Sequence, residues 1–130
     1  MSVEQNKETA RRTWEAAVRG DVDAASASLA DEVSWMLPAT VSPGGPLKGK
    51  QAVTGFFKSL SAAFPGGMKT EIRRVYGEGD TVLMELTNRG QTAKGRQYEN
   101  EYCFVLEFEG GKIRRVREYT DTAKVKEIFS

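Results

Sequence analysis

The turns of the second half most constrain what this chain can become. From residue 68 onward, "GEGD" at 77–80 and "EGGK" at 109–112 separate runs that alternate apolar and polar side chains. Such turns between alternating runs read as hairpins. The runs are 68–76, 80–89, 96–109 and 112–121, with a looser connection over 90–95. Consecutive hairpins predict an antiparallel meander of four strands.

The first half is helical. Ala10, Trp14, Ala17 and Val18 recur at helical spacing within residues 4–19. Gly20 ends that helix, and Asp21 suits the N-cap of a short Ala-rich one over 22–30. Residues 33–37 alternate as a strand. Residues 38–48, "PATVSPGGPLK", hold three of the four prolines and predict a loop. Val53, Phe56, Phe57, Leu60 and Phe64 then follow i, i+3, i+4, i+7, i+11, an amphipathic helix stopped by "PGG" at 65–67. A last helical stretch covers 121–128. Helices set apart from an antiparallel sheet make an α+β domain, and 130 residues suffice for one. A bent sheet with helices across its concave face leaves a wedge-shaped space suited to a small molecule.

Composition narrows the chemistry. There is no histidine and one cysteine, Cys103, so no His-dependent nucleophile or intrachain disulfide is available. Acid–base work falls to carboxylates, tyrosines or lysines. No metal site is expected, since Asp and Glu do not cluster at ligand spacing. "PGGPLKGK" lacks the Ser or Thr that completes a phosphate loop, because Gln51 follows Lys50. No cofactor is therefore expected. A formal net charge of +1, without a basic run, gives no reason to expect nucleic acid as a partner. No apolar run approaches the ~20 residues of a membrane span, and the polar N-terminus does not read as a signal peptide. With a single cysteine, the expected location is the cytoplasm.

"GPLKGKQAVTGFFKSL", "GRQYENEYCFVLEFEGGKIRRVREYTDTAKV" and the earlier "AVRGDVDAASASLADEVSW" together resemble the SnoaL-like branch of the nuclear transport factor 2-like superfamily. The resemblance implies a cone: a curved antiparallel sheet with the N-terminal helices packed on its concave face. The superfamily includes ketosteroid isomerases, polyketide cyclases, scytalone dehydratase and limonene epoxide hydrolases, and fold alone does not choose among them. The isomerases' aspartate base falls at about Leu37 here, their acid donor at about Phe104 and their helical tyrosine near Thr13 or Trp14. The epoxide hydrolases' arginine and aspartate fall at about Leu86 and Asn88, and their last-strand aspartate at Glu118. Those two mechanisms are disfavoured on their own residues. In the SnoaL cyclases an acidic residue on the last strand acts as base, and Glu118 is the match.

The resemblance puts Asn100, Tyr102 and Phe104 on the concave side, the more apolar face of "YENEYCFVLEF" by its period of two. Val116 and Glu118 share that side of the last strand. Trp14, Trp35, Leu37, Phe56, Phe57, Leu60, Met84, Leu86 and Asn88 supply the walls. On this reading Glu118 moves a proton, while Asn100 and Tyr102 polarise a carbonyl or orient the substrate in an isomerase, cyclase or dehydratase acting on a small, largely apolar compound. Plainer readings stand beside it. Glu118 pairs with Arg115 or Arg89, Asn100 satisfies a backbone group, the aromatics are core, and Asp121 caps the last helix. The protein then only binds a ligand, or dimerises around a residual pocket. Glu99, Glu101 and Glu107 fall on the convex face with Cys103 and Val105, where the resemblance implies a homodimer interface.

Overall fold

The computed structural model describes residues 2–41 and 44–130. Ser42 and Pro43, inside the expected loop, lie outside the described residues. The element order is α1 (Val3–Val18), α2 (Val22–Ser26), β1 (Leu29–Leu37), β2 (Gly45–Lys48), α3 (Lys50–Ala63), β3 (Met68–Glu78), β4 (Thr81–Gln91), β5 (Gln97–Glu109), β6 (Lys112–Thr120) and α4 (Thr122–Ile128). The domain is α+β, with one six-stranded open sheet in the order β2-β1-β6-β5-β4-β3.

Three local expectations are corrected. The second helix stops at Ser26, and β1 starts at Leu29 rather than at residue 33. Asp31 and Glu32 are exposed and hide the alternation there. Part of the expected loop is a strand, because Gly45–Lys48 pairs antiparallel with Leu37–Ser34 at the sheet edge, where Pro46 is tolerated.

The larger correction concerns the sheet. β3 to β6 form the expected meander, but β1 runs parallel to β6, with Ser34 opposite Arg115 and Met36 opposite Arg117. The sheet is mixed rather than purely antiparallel. Alternation within one strand reports which face is buried, not the direction of its neighbour.

Local chemistry explains the boundaries. Ser2 accepts from the Gln5 amide while the Gln5 side chain accepts from Ser2 N, a reciprocal cap on α1. Gly110 and Gly111 turn the β5–β6 hairpin with φ of 57° and 80°. Two consecutive positive φ values are what a type I′ turn demands. A register shift at Glu107/Phe108 lets both Arg114 and Arg115 reach the Glu107 carboxylate on the convex face, at 3.1 and 3.4 Å. Arg117 joins them at 3.6 Å, and Glu99 and Glu101 pair with Arg89 and Arg73.

The core lies between the helices and the concave face. Phe57 and Val53 of α3, Trp14 and Ala17 of α1, and Val33, Leu86, Phe104 and Val116 of the sheet are all buried there. Burying a large apolar side chain contributes ~1.5–3 kcal/mol. Among the described residues, no helix is long and apolar enough to cross a membrane.

Candidate functional site

The concave face of β5 and β6 meets α1, α3 and α4 around a cavity of about 120 Å³. Apolar cavities of ~150 Å³ accept a benzene ring. Its walls are mostly apolar. Trp14, Leu37, Phe56 and Leu60 line it, as expected walls do, and so do Glu118 and Tyr102. The remaining surface comes from Pro38, Val41, Phe64 and Met68, from Val125 and Phe129 at the chain's end, and from Tyr98 and Thr120.

The other residues singled out in the sequence stand behind this lining. Trp35, Phe57, Met84, Leu86, Phe104 and Val116 are buried core. Their ring packing sets the shape of the wall. Trp14 sits 4.7 Å from Phe104 between ring centroids, and Trp35 stands edge-on to Phe57 at 5.5 Å. Asn88 is fully buried and accepts from the Trp14 indole N–H at 3.2 Å, which fixes that ring.

Among the described residues, Glu118 is the one carboxylate at the cavity wall. β6 puts it there by alternation, since Val116 on the same face is buried and Tyr119 on the other is exposed. Its Oε1 accepts a hydrogen bond of 3.0 Å from Trp35 Nε1. The arginines named as alternative partners are engaged elsewhere: Arg115 with Glu107, Arg89 with Glu71 and Glu99. Burial, opposed only by the Trp35 hydrogen bond, pushes the carboxyl up to about 7. It is a group able both to give and to take a proton near neutrality.

Asn100, 1% exposed, does not line the cavity. Its Nδ2 donates to the Tyr98 hydroxyl and to the Asp121 carbonyl, each at 2.9 Å, and its Oδ1 accepts from Glu101 N at 2.9 Å. The amide thus ties β5 to the start of α4. The Tyr98 and Tyr102 hydroxyls form a hydrogen bond with each other. Burial raises both phenols above their ordinary value, so both stay neutral. Asp121 caps α4 by accepting from Ala123 N at 3.1 Å.

Sequence reasoning passed over Tyr98, although Tyr98, Asn100 and Tyr102 sit at i, i+2, i+4 on one strand face. It also passed over α4 as a wall, where Val125 and Phe129 carry the signal at i, i+4. Among the described residues, no three His, Cys, Asp or Glu side chains converge as a metal site would require.

Residues 10–116 match the SnoaL-like domain family. The chain belongs to that family. Solved structures place this SnoaL-like domain among nuclear transport factor 2-like folds. Bal32a, from a soil-derived mobile gene cassette, superposes with a TM-score of 0.88 at 26% identity, over 98% of each chain. A nuclear transport factor 2-like protein of unknown function from Burkholderia pseudomallei gives 0.87 at 26%, over 100% of this SnoaL-like domain and 99% of that chain. TerC, co-crystallized with polyporic acid, gives 0.84 at 21%, over 97% and 99%.

Proposed function

We propose that this SnoaL-like domain binds a small, largely apolar molecule in the cavity and catalyses a cofactor-free acid–base reaction on it, of the isomerase, cyclase or dehydratase type. The observation that carries the reading is Glu118, a lone carboxylate in an aromatic and aliphatic wall with a pKa near 7. A carboxyl so placed abstracts a proton from carbon and returns it at another position. TerC, which shares the fold, was co-crystallized with polyporic acid.

The test is solvent deuterium exchange. A panel of small cyclic enones and 1,3-diketones is incubated with the protein in D2O and followed by NMR. Wild type is expected to accelerate exchange of at least one compound, and Glu118→Gln to lose about 10²–10⁴ of that rate. No acceleration over buffer, or equal rates in both proteins, would overturn the catalytic reading.

One observation favours binding without turnover as the second reading. The Asn100 amide, assigned a catalytic part from the sequence, has both its hydrogens committed to Tyr98 and Asp121. A homodimer through the convex face is also proposed. Exposed Met36 and Tyr119 support it, and sedimentation equilibrium tests it.

A further inference from the structure

β1 and β6 part at the cavity wall. Their parallel pairing ends with Met36 opposite Arg117. Beyond it β6 continues to Thr120 beside β5, whereas Leu37 turns its pairing to Gly45 of β2 and Pro38 leaves the sheet. A surface cleft lies between the two chains, with Ala39 and Thr122 on its walls. Leu37, Pro38, Glu118 and Thr120 line both this cleft and the cavity. The partition between the two is thus a single layer of residues.

Arg117 lines the cleft but not the cavity. Its charge is incompletely matched. It stands 3.6 Å from Glu107, but the same carboxylate takes Arg114 at 3.1 Å and Arg115 at 3.4 Å. One carboxylate does not neutralise three guanidiniums, and the longest of the three contacts is the easiest to exchange. The adjoining groove on the convex face shares Met36 and Arg117 with the cleft and adds Lys48 and Glu32. Four cations therefore face two carboxylates at this end of the sheet. A guanidinium with donors to spare, in positive surroundings, suits a carboxylate.

We propose that Arg117 selects the class of ligand: it holds a carboxylate in the cleft while the apolar body of the same molecule lies in the cavity, so the ligand is a small amphipathic organic acid. This rests on the reading that the cavity binds a small, largely apolar molecule. Among the described residues, no lysine or arginine lines the cavity, so a carboxylate drawn fully inside would be desolvated without a partner. At about 120 Å³ the cavity has room for little more than one ring. The charged end of an acid is therefore left outside, and the cleft is where a cation meets it. Arg117, with its side chain 35% exposed, reaches that end without having to be buried.

The experiment uses phenylacetate, phenylpropanoate and phenylpentanoate, each with its carboxylate at the end of the chain, beside the matching primary amides. Dissociation constants are read from the fluorescence of Trp14 and Trp35 at about pH 6, where Glu118 mostly keeps its proton and the ligand carboxylate is ionised. At one chain length the acid is expected to bind about threefold to tenfold tighter than its amide, the worth of an ion pair at a partly exposed arginine. That advantage should shrink as salt is raised. Arg117→Gln is expected to abolish it and leave the amide's affinity unchanged. Arg115→Gln, which removes another partner of Glu107 that lines the convex groove but not the cleft, should preserve it. No advantage at any length, or one that survives Arg117→Gln, would overturn the assignment. Equal loss in both variants would overturn it too, because the charge of the whole face would then be drawing the acid. Amides that bind as well as the acids would sink this proposal alone and leave the cavity reading standing. If neither acids nor amides bind, both readings fall. None of these readouts uses turnover.

Discussion

Trp35 and Glu118, 83 positions apart in the chain, meet through a 3.0 Å hydrogen bond from the indole N–H to the carboxylate. The contact spans the parallel β1–β6 pairing and joins the core to the cavity wall. Trp35 is core; Glu118 faces the cavity. The bond partly offsets the cost of burying a charge, and it ties the acidity of the site to the packing beneath it.

Stability is expected to fall with rising pH because of Glu118. Its folded pKa, about 7, lies above its ordinary 4.5. Below pH ~4.5 both folded and unfolded chains carry the proton. Between there and about 7 the unfolded chain has lost it while the folded chain keeps it, so folding loses stability across that window. The full loss is on the order of 3 kcal/mol at ~1.4 kcal/mol per unit. Urea denaturation at a series of pH values checks this, with Glu118→Gln expected to lack this part of the slope and to melt several degrees higher at pH 8. A wild-type slope unchanged by the substitution would refute it.

Trp35→Phe keeps an aromatic ring against Phe57 and removes the donor to Glu118. That hydrogen bond lowers the carboxyl's pKa, so its loss is expected to raise the value further. Carbon-13 NMR titration of labelled glutamate should show the Glu118 transition move to higher pH. A shift to lower pH would mean that the bond does not stabilise the carboxylate.

Arg96 latches α4. Its Nη1 donates to the carbonyls of Glu127 and Ile128 at 2.9 and 3.2 Å, satisfying the exposed end of that helix. Arg96→Ala is expected to speed amide exchange in the last turn of α4 by about tenfold, with less than ~1 kcal/mol change in global stability. Hydrogen-exchange mass spectrometry over 120–130 reads both. Since Val125 and Phe129 line the cavity, ligand should suppress the difference.

Phe57 is fully buried against Trp35 and Phe56. Phe57→Ala is expected to cost ~3–5 kcal/mol in denaturant unfolding, the usual penalty for an unfilled aromatic site. A cost below ~1 kcal/mol would show that the wall behind the cavity collapses freely.

The helical stripe of α3 was legible because its apolar residues obey one period, and Phe57 and Val53 are buried as that period requires. The hairpins were legible because glycines reach the positive φ that tight turns need, as Gly79, Gly110 and Gly111 do. The inward orientation of Glu118 followed from alternation combined with the family resemblance. What the sequence hid was non-local. β2 is four residues long and contains Pro46, so it forms only because β1 is there to pair with it. The parallel join of β1 to β6 depends on a partner some 80 positions away. Tyr98 escaped notice because a tyrosine on an apolar face reads as core. Only the placement of its hydroxyl against Asn100 and Tyr102 gives it a part. Asn100 proved to be a tie between elements because its partners, a backbone carbonyl and a phenol, leave no mark in composition.

The parallel β1–β6 pairing also dictates an order of assembly. During synthesis, α1, α2 and β1 leave the ribosome first, yet β1 has no central neighbour until the last strand of the sheet has been made. At ~5–20 residues per second the nascent chain waits several seconds before Trp35 can meet Val116 across the parallel pairing. Closing so long a loop then adds an entropic cost that the nearby hairpins escape. The interval is a window in which a chaperone can hold the chain, and the cavity comes into being only as it ends.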